Sequence, residues 1–144
     1  MNKKLALTVL IVLITLTLAA CAPRASTILS PEEGAAYAAE VDEIVENLLV
    51  GFSENDYATL ARDWDPDWKE DYDESAFHKD YEAIIAPYGA YQSKTLDHVE
   101  DRPGFSARRI VIYHVVFENA PDVTVLVYFK PKDPDHPIVG LAWA

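Results

Sequence analysis

A chain of 144 residues, half of them apolar, is the size of one domain and too hydrophobic to be intrinsically disordered. Its 24 acidic residues against 12 basic ones give a net charge of −12, which excludes the broad basic surface that nucleic acid demands. A single cysteine excludes an internal disulfide and any two-thiol redox centre.

The N-terminus opens with Met1-Asn2-Lys3-Lys4, a short basic start. Leu5 to Ala20 is then apolar except for Thr8, Thr15 and Thr17. That run of 16 residues is shorter than the roughly 20 a membrane-spanning helix needs. A basic start, a short apolar stretch and a small-residue exit predict a secretion signal over residues 1–20. The exit, Leu18-Ala19-Ala20-Cys21, resembles the lipobox of bacterial lipoproteins. The resemblance implies that Cys21 takes a diacylglyceryl group and becomes the first residue after cleavage, holding the protein on the extracytoplasmic side of the cell membrane. Each buried CH₂ of such a lipid contributes roughly 0.8 kcal/mol, so two or three chains anchor stably. Removing residues 1–20 takes away two lysines and no acid, leaving ten basic residues against 24 acidic ones and a net charge of −14. Anionic headgroups would repel that charge, so the anchor must be covalent.

Residues 21–29 read as the lipidated cysteine and a short aperiodic tether with Pro23, Ser26 and Thr27, and residues 30–144 as a single α+β domain. Ser30-Pro31-Glu32-Glu33 is a helix start, with Ser30 as cap, Pro31 in the first turn and Glu33 completing a capping box. Tyr37, Val41, Ile44, Val45, Leu48 and Phe52 then share one face, and Gly51 suits the stop. Ser53 is the expected cap of a second helix, with Tyr57, Leu60, Ala61 and Trp64 on one face and Pro66 ending it. Asp65, before that proline, is pushed toward extended backbone. A third helix is predicted from about Glu74, with Phe77, Tyr81, Ile84, Ile85 and Tyr88 as its apolar stripe and Pro87 and Gly89 closing it.

Four strands follow. Residues 91–99 form a polar first strand, Arg102-Pro103-Gly104 marks a turn, and residues 108–117 are a long β-branched run. Asn119-Ala120-Pro121-Asp122 turns the chain into a strand at 123–130, and a Pro/Asp-rich loop leads to a last strand at 138–143. Short connections favour antiparallel neighbours. The expectation is an α+β fold with three N-terminal helices on a curved four-stranded antiparallel sheet. Both middle strands are apolar on both faces. The face away from the helices therefore needs cover, from elsewhere in the chain or from a second subunit in a homodimer.

This order of elements resembles the cone-shaped fold of the nuclear-transport-factor-2-like, or cystatin-like, superfamily, over about residues 31–143. Asp56-Tyr57, Trp64-Asp65-Pro66-Asp67-Trp68-Lys69, Tyr88-Gly89-Ala90-Tyr91 and Ile138-Val139-Gly140-Leu141 are similar to a group of small secreted domains within it. There, an acidic-proline turn links two helices and a glycine precedes the first strand. The resemblance implies helices lying in the mouth of a curved sheet. It lends no activity, because the superfamily holds isomerases, dehydratases, binding domains and dimerisation modules, and fold does not choose among them.

Three features carry candidate chemistry. Asp63, Asp65, Asp67, Asp71 and Glu74 fall at positions 1, 3, 5, 9 and 12 of a twelve-residue stretch, the ligand spacing of an EF-hand calcium loop. Against the match, Trp68 occupies the place of the turn glycine, Glu70 the place of an apolar residue, and Pro66 stiffens the loop; holding Trp68 in a left-handed conformation would cost on the order of 1–2 kcal/mol. The alternatives are an EF-hand, a weaker cation site of another geometry, and a solvated acidic loop. His114 lies mid-strand in phase with Ile110, Ile112 and Val116; it is either an acid or base inside the cone or a hydrogen-bonded histidine on a sheet face. Trp64 and Tyr88, from the aromatic stripe, are core residues or the rim of an apolar ligand cavity.

No nucleophile elbow, phosphate-binding glycine loop or cofactor motif occurs in the sequence. The leading expectation is a membrane-anchored, non-enzymatic binding domain for a small apolar ligand, a peptide or another envelope protein. A small isomerase- or hydratase-like enzyme using the cone pocket, with His114 and nearby Tyr or Asp residues, and a weak calcium-binding module on residues 63–74 are the alternatives.

Overall fold

The computed structural model of the chain describes residues 25–104 and 106–144. The expected signal segment, the expected cleavage site and the expected lipidation at Cys21 lie outside the described residues. The architecture is α+β, with five α-helices and one five-stranded antiparallel sheet among the described residues, in strand order β1-β2-β3-β4-β5.

The fifth strand comes from the expected tether. β1 (Thr27–Ile28) pairs with the end of β2 (Tyr91–Arg102), Thr27 opposite Asp101 and Ile28 opposite Glu100, and the Leu29 N–H donates to the Val99 carbonyl at 2.9 Å. A two-residue strand has no hydrophobic period to read, which is why the segment looks like a linker in sequence. The ordered domain therefore begins before Ser30.

The first helical stretch starts as its capping box dictates: Ser30 accepts from the Glu33 N–H and the Glu33 carboxylate returns to Ser30. It is two helices in line, α1 (Pro31–Glu40) and α2 (Asp42–Glu54), parted at Val41 by one non-helical turn residue. The expected stripe is buried at Tyr37, Val41, Val45, Leu48 and Phe52, with Leu49 added. Gly51 does not stop the helix; α2 runs on to Glu54 and ends at Asn55 in the left-handed conformation. The glycine serves close packing instead, because a Cβ there would lie 2.4 Å from the Leu60 backbone nitrogen.

The next segment corrects two expectations. Asp56, not Ser53, caps the short α3 (Tyr57–Leu60), accepting from the Thr59 N–H; the Ser53 hydroxyl accepts from the Tyr91 N–H at 2.7 Å instead. Pro66 opens a helix rather than ending one: α4 (Pro66–Asp71) has Asp65 as its cap and proline at its first position. Between α3 and α4, residues 63–65 run parallel to the start of β5 (Ile138–Trp143), with Asp65 N–H donating to the Ile138 carbonyl at 2.8 Å and Ile138 N–H to the Asp63 carbonyl at 2.9 Å. This covers part of what would be an open sheet edge.

α5 (Glu74–Asp80), capped by Asp73, passes into a single π-helical turn at Tyr81–Ile85 and a 3₁₀ turn at Ala86–Tyr88. The wider turn shifts the helical phase. Ile85 is buried as expected, but Ile84 is 44 % exposed. Gly89, at φ 76°, turns the chain into β2.

The helices pack on one face of the sheet. There Val99 of β2, Val111, Tyr113, Val115 and Phe117 of β3 (Arg108–Phe117), and Val123, Val125, Val127 and Phe129 of β4 (Ala120–Phe129) join the helical stripe in one core. Lys94 ties β2 to α2 by ion pairs with Asp42 (3.1 Å) and Glu46. Arg109 grips Asp101 through two hydrogen bonds of 2.8 and 2.9 Å while its guanidinium lies 4.6 Å from the Tyr37 ring centre. On the other face, Ile110 sits between Glu100 and Tyr128, and Ile112 between His98 and Leu126. Both isoleucines are buried within the chain itself, so their cover comes from strand neighbours.

Candidate functional site

The site is built from the three tryptophans. Trp64, Trp68 and Trp143 are all the tryptophans of the chain, and all three line one pocket of about 270 Å³, with Phe52, Tyr72, Asp80, Ile84, Ile85 and Leu141 completing its wall. A volume just under the ligand-site range of roughly 300–1,000 Å³ suits a small molecule or one head group of a larger one.

Local structure places each ring. Trp64 is held in its extended stretch by the backbone bonds to Ile138 on either side and is 3 % exposed. Four residues on, in the first turn of α4, Trp68 brings its ring to 4.3 Å from that of Trp64, centre to centre. Tyr72, a further turn along at the end of α4, lies nearly parallel to Trp68 at 6.5 Å and an interplanar angle of 15°. Tyr57 braces the group from behind, its ring edge-on to Trp64 at 5.8 Å and its hydroxyl donating to the Tyr72 carbonyl at 3.0 Å. Phe52 meets Trp143 edge-on at 5.1 Å, joining the pocket to the core.

Asp80 supplies the one carboxylate of the lining, and Tyr72 donates its hydroxyl to Asp80 Oδ2 at 2.8 Å. Burial, reinforced by that hydrogen bond, pushes the Tyr72 phenol above its ordinary pKa. No lysine or arginine lines the pocket, and Asp80 has no ion-pair partner among the described residues. The indole N–H of Trp64 is buried without a hydrogen-bond partner among the described residues. The pocket thus offers ring faces, aliphatic edges and a carboxylate oriented through one of its oxygens.

Of the residues expected from sequence to touch a ligand, Trp64 is in this pocket and two are not. Tyr88 packs against Phe117 at 5.7 Å, outside the lining. His114 has the strand phase read from sequence, but its face is the one turned away from the helices. It is exposed, stands between Thr95 and Thr124, and has Nδ1 2.9 Å from Asp122 Oδ1. The physical reason lies one residue away in each direction. Val111, Tyr113, Val115 and Phe117 form the strand phase that joins the core under the helices, and alternation along the strand puts His114 on the opposite face.

The five acidic residues of the calcium-like spacing are not brought together. Residues 66–71 are helical rather than a loop, and among the described residues no three His, Cys, Asp or Glu side chains form a group able to hold a metal ion. Asp63 lies beside Arg62 at 3.2 Å, and Asp65 reaches Lys130 Nζ at 2.5 Å. Asp67 and Asp71 belong to α4, and Glu74 begins α5. Asp65 is buried, and the lysine beside it holds its carboxyl below the usual range.

Sequence reasoning missed Trp68, Tyr72, Asp80, Ile84 and Trp143. A signal was present: Trp64, Trp68 and Tyr72 recur every fourth residue within the stretch read as an acidic loop. Comparisons with protein-family models, with curated proteins and with solved structures find no match for this chain. What the fold and site define is a class: an α+β domain with an aromatic-walled pocket. No helix among the described residues is long and apolar enough to cross a membrane.

Proposed function

We propose that the chain is a lipid-anchored, extracytoplasmic lipoprotein whose domain is a non-enzymatic binding module, with the aromatic pocket as its ligand site. The observation that carries this reading is the gathering of every tryptophan in the chain around one open cavity. Large amphipathic rings with few polar groups among them are the make-up of small-molecule sites. The lipobox-like Leu18-Ala19-Ala20-Cys21 supports the anchor, and the order of helices before an antiparallel sheet supports a cone of the nuclear-transport-factor-2-like kind. The isomerase- or hydratase-like alternative relied on His114 with nearby Tyr or Asp residues; His114 stands on the outer face, so only Tyr72 and Asp80 of the pocket support that alternative.

Two measurements test the reading. Labelling of cells with a radioactive fatty acid is expected to mark the wild-type chain and not Cys21→Ser; an unlabelled wild type sinks the anchor. Because the tryptophans all line the pocket, their fluorescence reports on it alone. A panel of small apolar and amphipathic molecules is expected to shift that emission saturably in the wild type and far less in Trp68→Ala. A panel without any saturable shift argues against a ligand site.

A further inference from the structure

The one charged side chain of the pocket lining is a carboxylate, Asp80. Aromatic faces present the negative side of their quadrupole, and the lining of this pocket adds a carboxylate with no basic residue to balance it. The geometry is that of a partial cage. Trp64 and Trp68 form one wall, Tyr72 stands nearly parallel to Trp68, and Asp80 is held beside them by the Tyr72 hydroxyl at 2.8 Å. That hydrogen bond occupies Oδ2 and leaves Oδ1 without a hydrogen-bond donor among the described residues. A π-helical turn directly follows Asp80 and swings Ile84 out to the rim, adding an apolar edge that a rounded group can rest on. A neutral apolar ligand would use the rings and leave the carboxylate desolvated and unpaired, which is unfavourable. A permanently charged alkylammonium group satisfies both, since its methyl groups fill the apolar space while its charge meets the ring faces and the carboxylate.

Building on the binding-module reading, we propose that the pocket takes an alkylated ammonium group, of the trimethylammonium kind, and prefers it to a neutral group of the same shape. The net charge of −14 for the chain after Ala20 draws cations toward the domain generally. Trp68, Tyr72 and Asp80 are the residues that select the group.

The test uses tryptophan emission of the full chain in maltoside micelles, titrated with choline, with tetramethylammonium and with dimethylbutanol, the neutral carbon isostere of choline. Choline and tetramethylammonium are expected to bind saturably, and dimethylbutanol at least about tenfold more weakly, a difference of about 1.4 kcal/mol. Asp80→Asn is expected to abolish that preference, and Trp68→Ala to weaken all three probes. Equal binding of choline and dimethylbutanol by the wild type overturns the cation preference while leaving the pocket a ligand site. No response to any probe, charged or neutral, counts against both the preference and the binding reading. Should Asp80→Asn not fold, the wild-type comparison of the isosteres decides the matter alone. Co-sedimentation of Cys21→Ser with phosphatidylcholine but not phosphatidylglycerol vesicles, competed by free choline, would assign the ammonium group to a lipid head group. A response to free choline without vesicle binding would assign it to a solute.

Discussion

Tyr72 and Asp80, one at the end of α4 and the other at the end of α5, are joined by a 2.8 Å hydrogen bond from phenol to carboxylate. This single bond links two helices that share no other described side-chain hydrogen bond and sets the wall of the pocket. Tyr72→Phe keeps the ring and removes the bond. With Asp80 still able to reach water, the expected loss is about 1 kcal/mol, within the usual net value of such a bond. The urea midpoint measures it, and an unchanged midpoint would mean that the two helices are held by packing alone.

Alkaline pH should destabilise the domain through its tyrosines. Burial raises the pKa of Tyr37 to about 12 and also raises those of Tyr57, Tyr72, Tyr91 and Tyr113. A phenol with a raised pKa in the folded state adds stability below its unfolded value of about 10, and that stability is lost as pH rises through the folded value. Denaturation midpoints measured from pH 8 upward should therefore hold steady and then fall above about pH 10. Tyr113 is a special case, because its buried hydroxyl has no hydrogen-bond partner among the described residues. Tyr113→Phe should be neutral or stabilising by up to about 1 kcal/mol at neutral pH, and its alkaline decline should be shallower.

Acid should act through Asp65. Lys130 at 2.5 Å and the Asp67 N–H at 3.1 Å both favour its ionised form. Its lowered pKa contributes stability above the unfolded value of about 3.9, lost as pH falls through the folded value. Asp65→Ala removes both the ion pair and the cap of α4, at an expected cost of about 1–2 kcal/mol at pH 7 that shrinks below about pH 4. A deficit that stays constant across that range would mean that charge plays no part.

Millimolar calcium should leave the thermal midpoint unchanged, since Asp63, Asp65, Asp67, Asp71 and Glu74 are not gathered around one point. Extracellular calcium sites bind at about 10⁻⁴–10⁻³ M, so that concentration is sufficient to reveal one. A calcium-specific rise that disappears in Asp65→Ala would require the 63–74 stretch to adopt a different, coordinating conformation.

Gly51→Ala separates helix propensity from packing. In an open helix the change would gain up to about 1 kcal/mol. Here the added methyl would lie 2.4 Å from the Leu60 nitrogen and 2.7 Å from its Cα, so α2 and α3 must part. Strain of about 1–3 kcal/mol outweighs the propensity gain, and the variant should show a lower urea midpoint.

Much of the fold was legible in the sequence because its determinants are local. The Ser30–Glu33 capping box, the stripe through Val45 and Leu48, and the β-branched run of residues 108–117 each act within a few residues. Where short-range signals conflict, only packing resolves them. Gly51 and Pro66 are stop signals on their own, yet one sits inside a helix against Leu60 and the other begins a helix that Asp65 caps. Thr27 and Ile28 form a strand solely because the end of β2 lies open beside them. The same division runs through the site. By itself the sequence determined the α+β class, the acidic charge, the lipobox-like cysteine and the recurrence of Trp64, Trp68 and Tyr72 at every fourth residue. Tertiary structure decided that His114 faces outward, that the acidic spacing gathers no metal site, and that Trp143 and Asp80 meet those rings around a cavity. Periodicity says which residues share a face. Which face is buried, and what distant residue it meets, depends on the apolar area gained when helices and sheet close on each other.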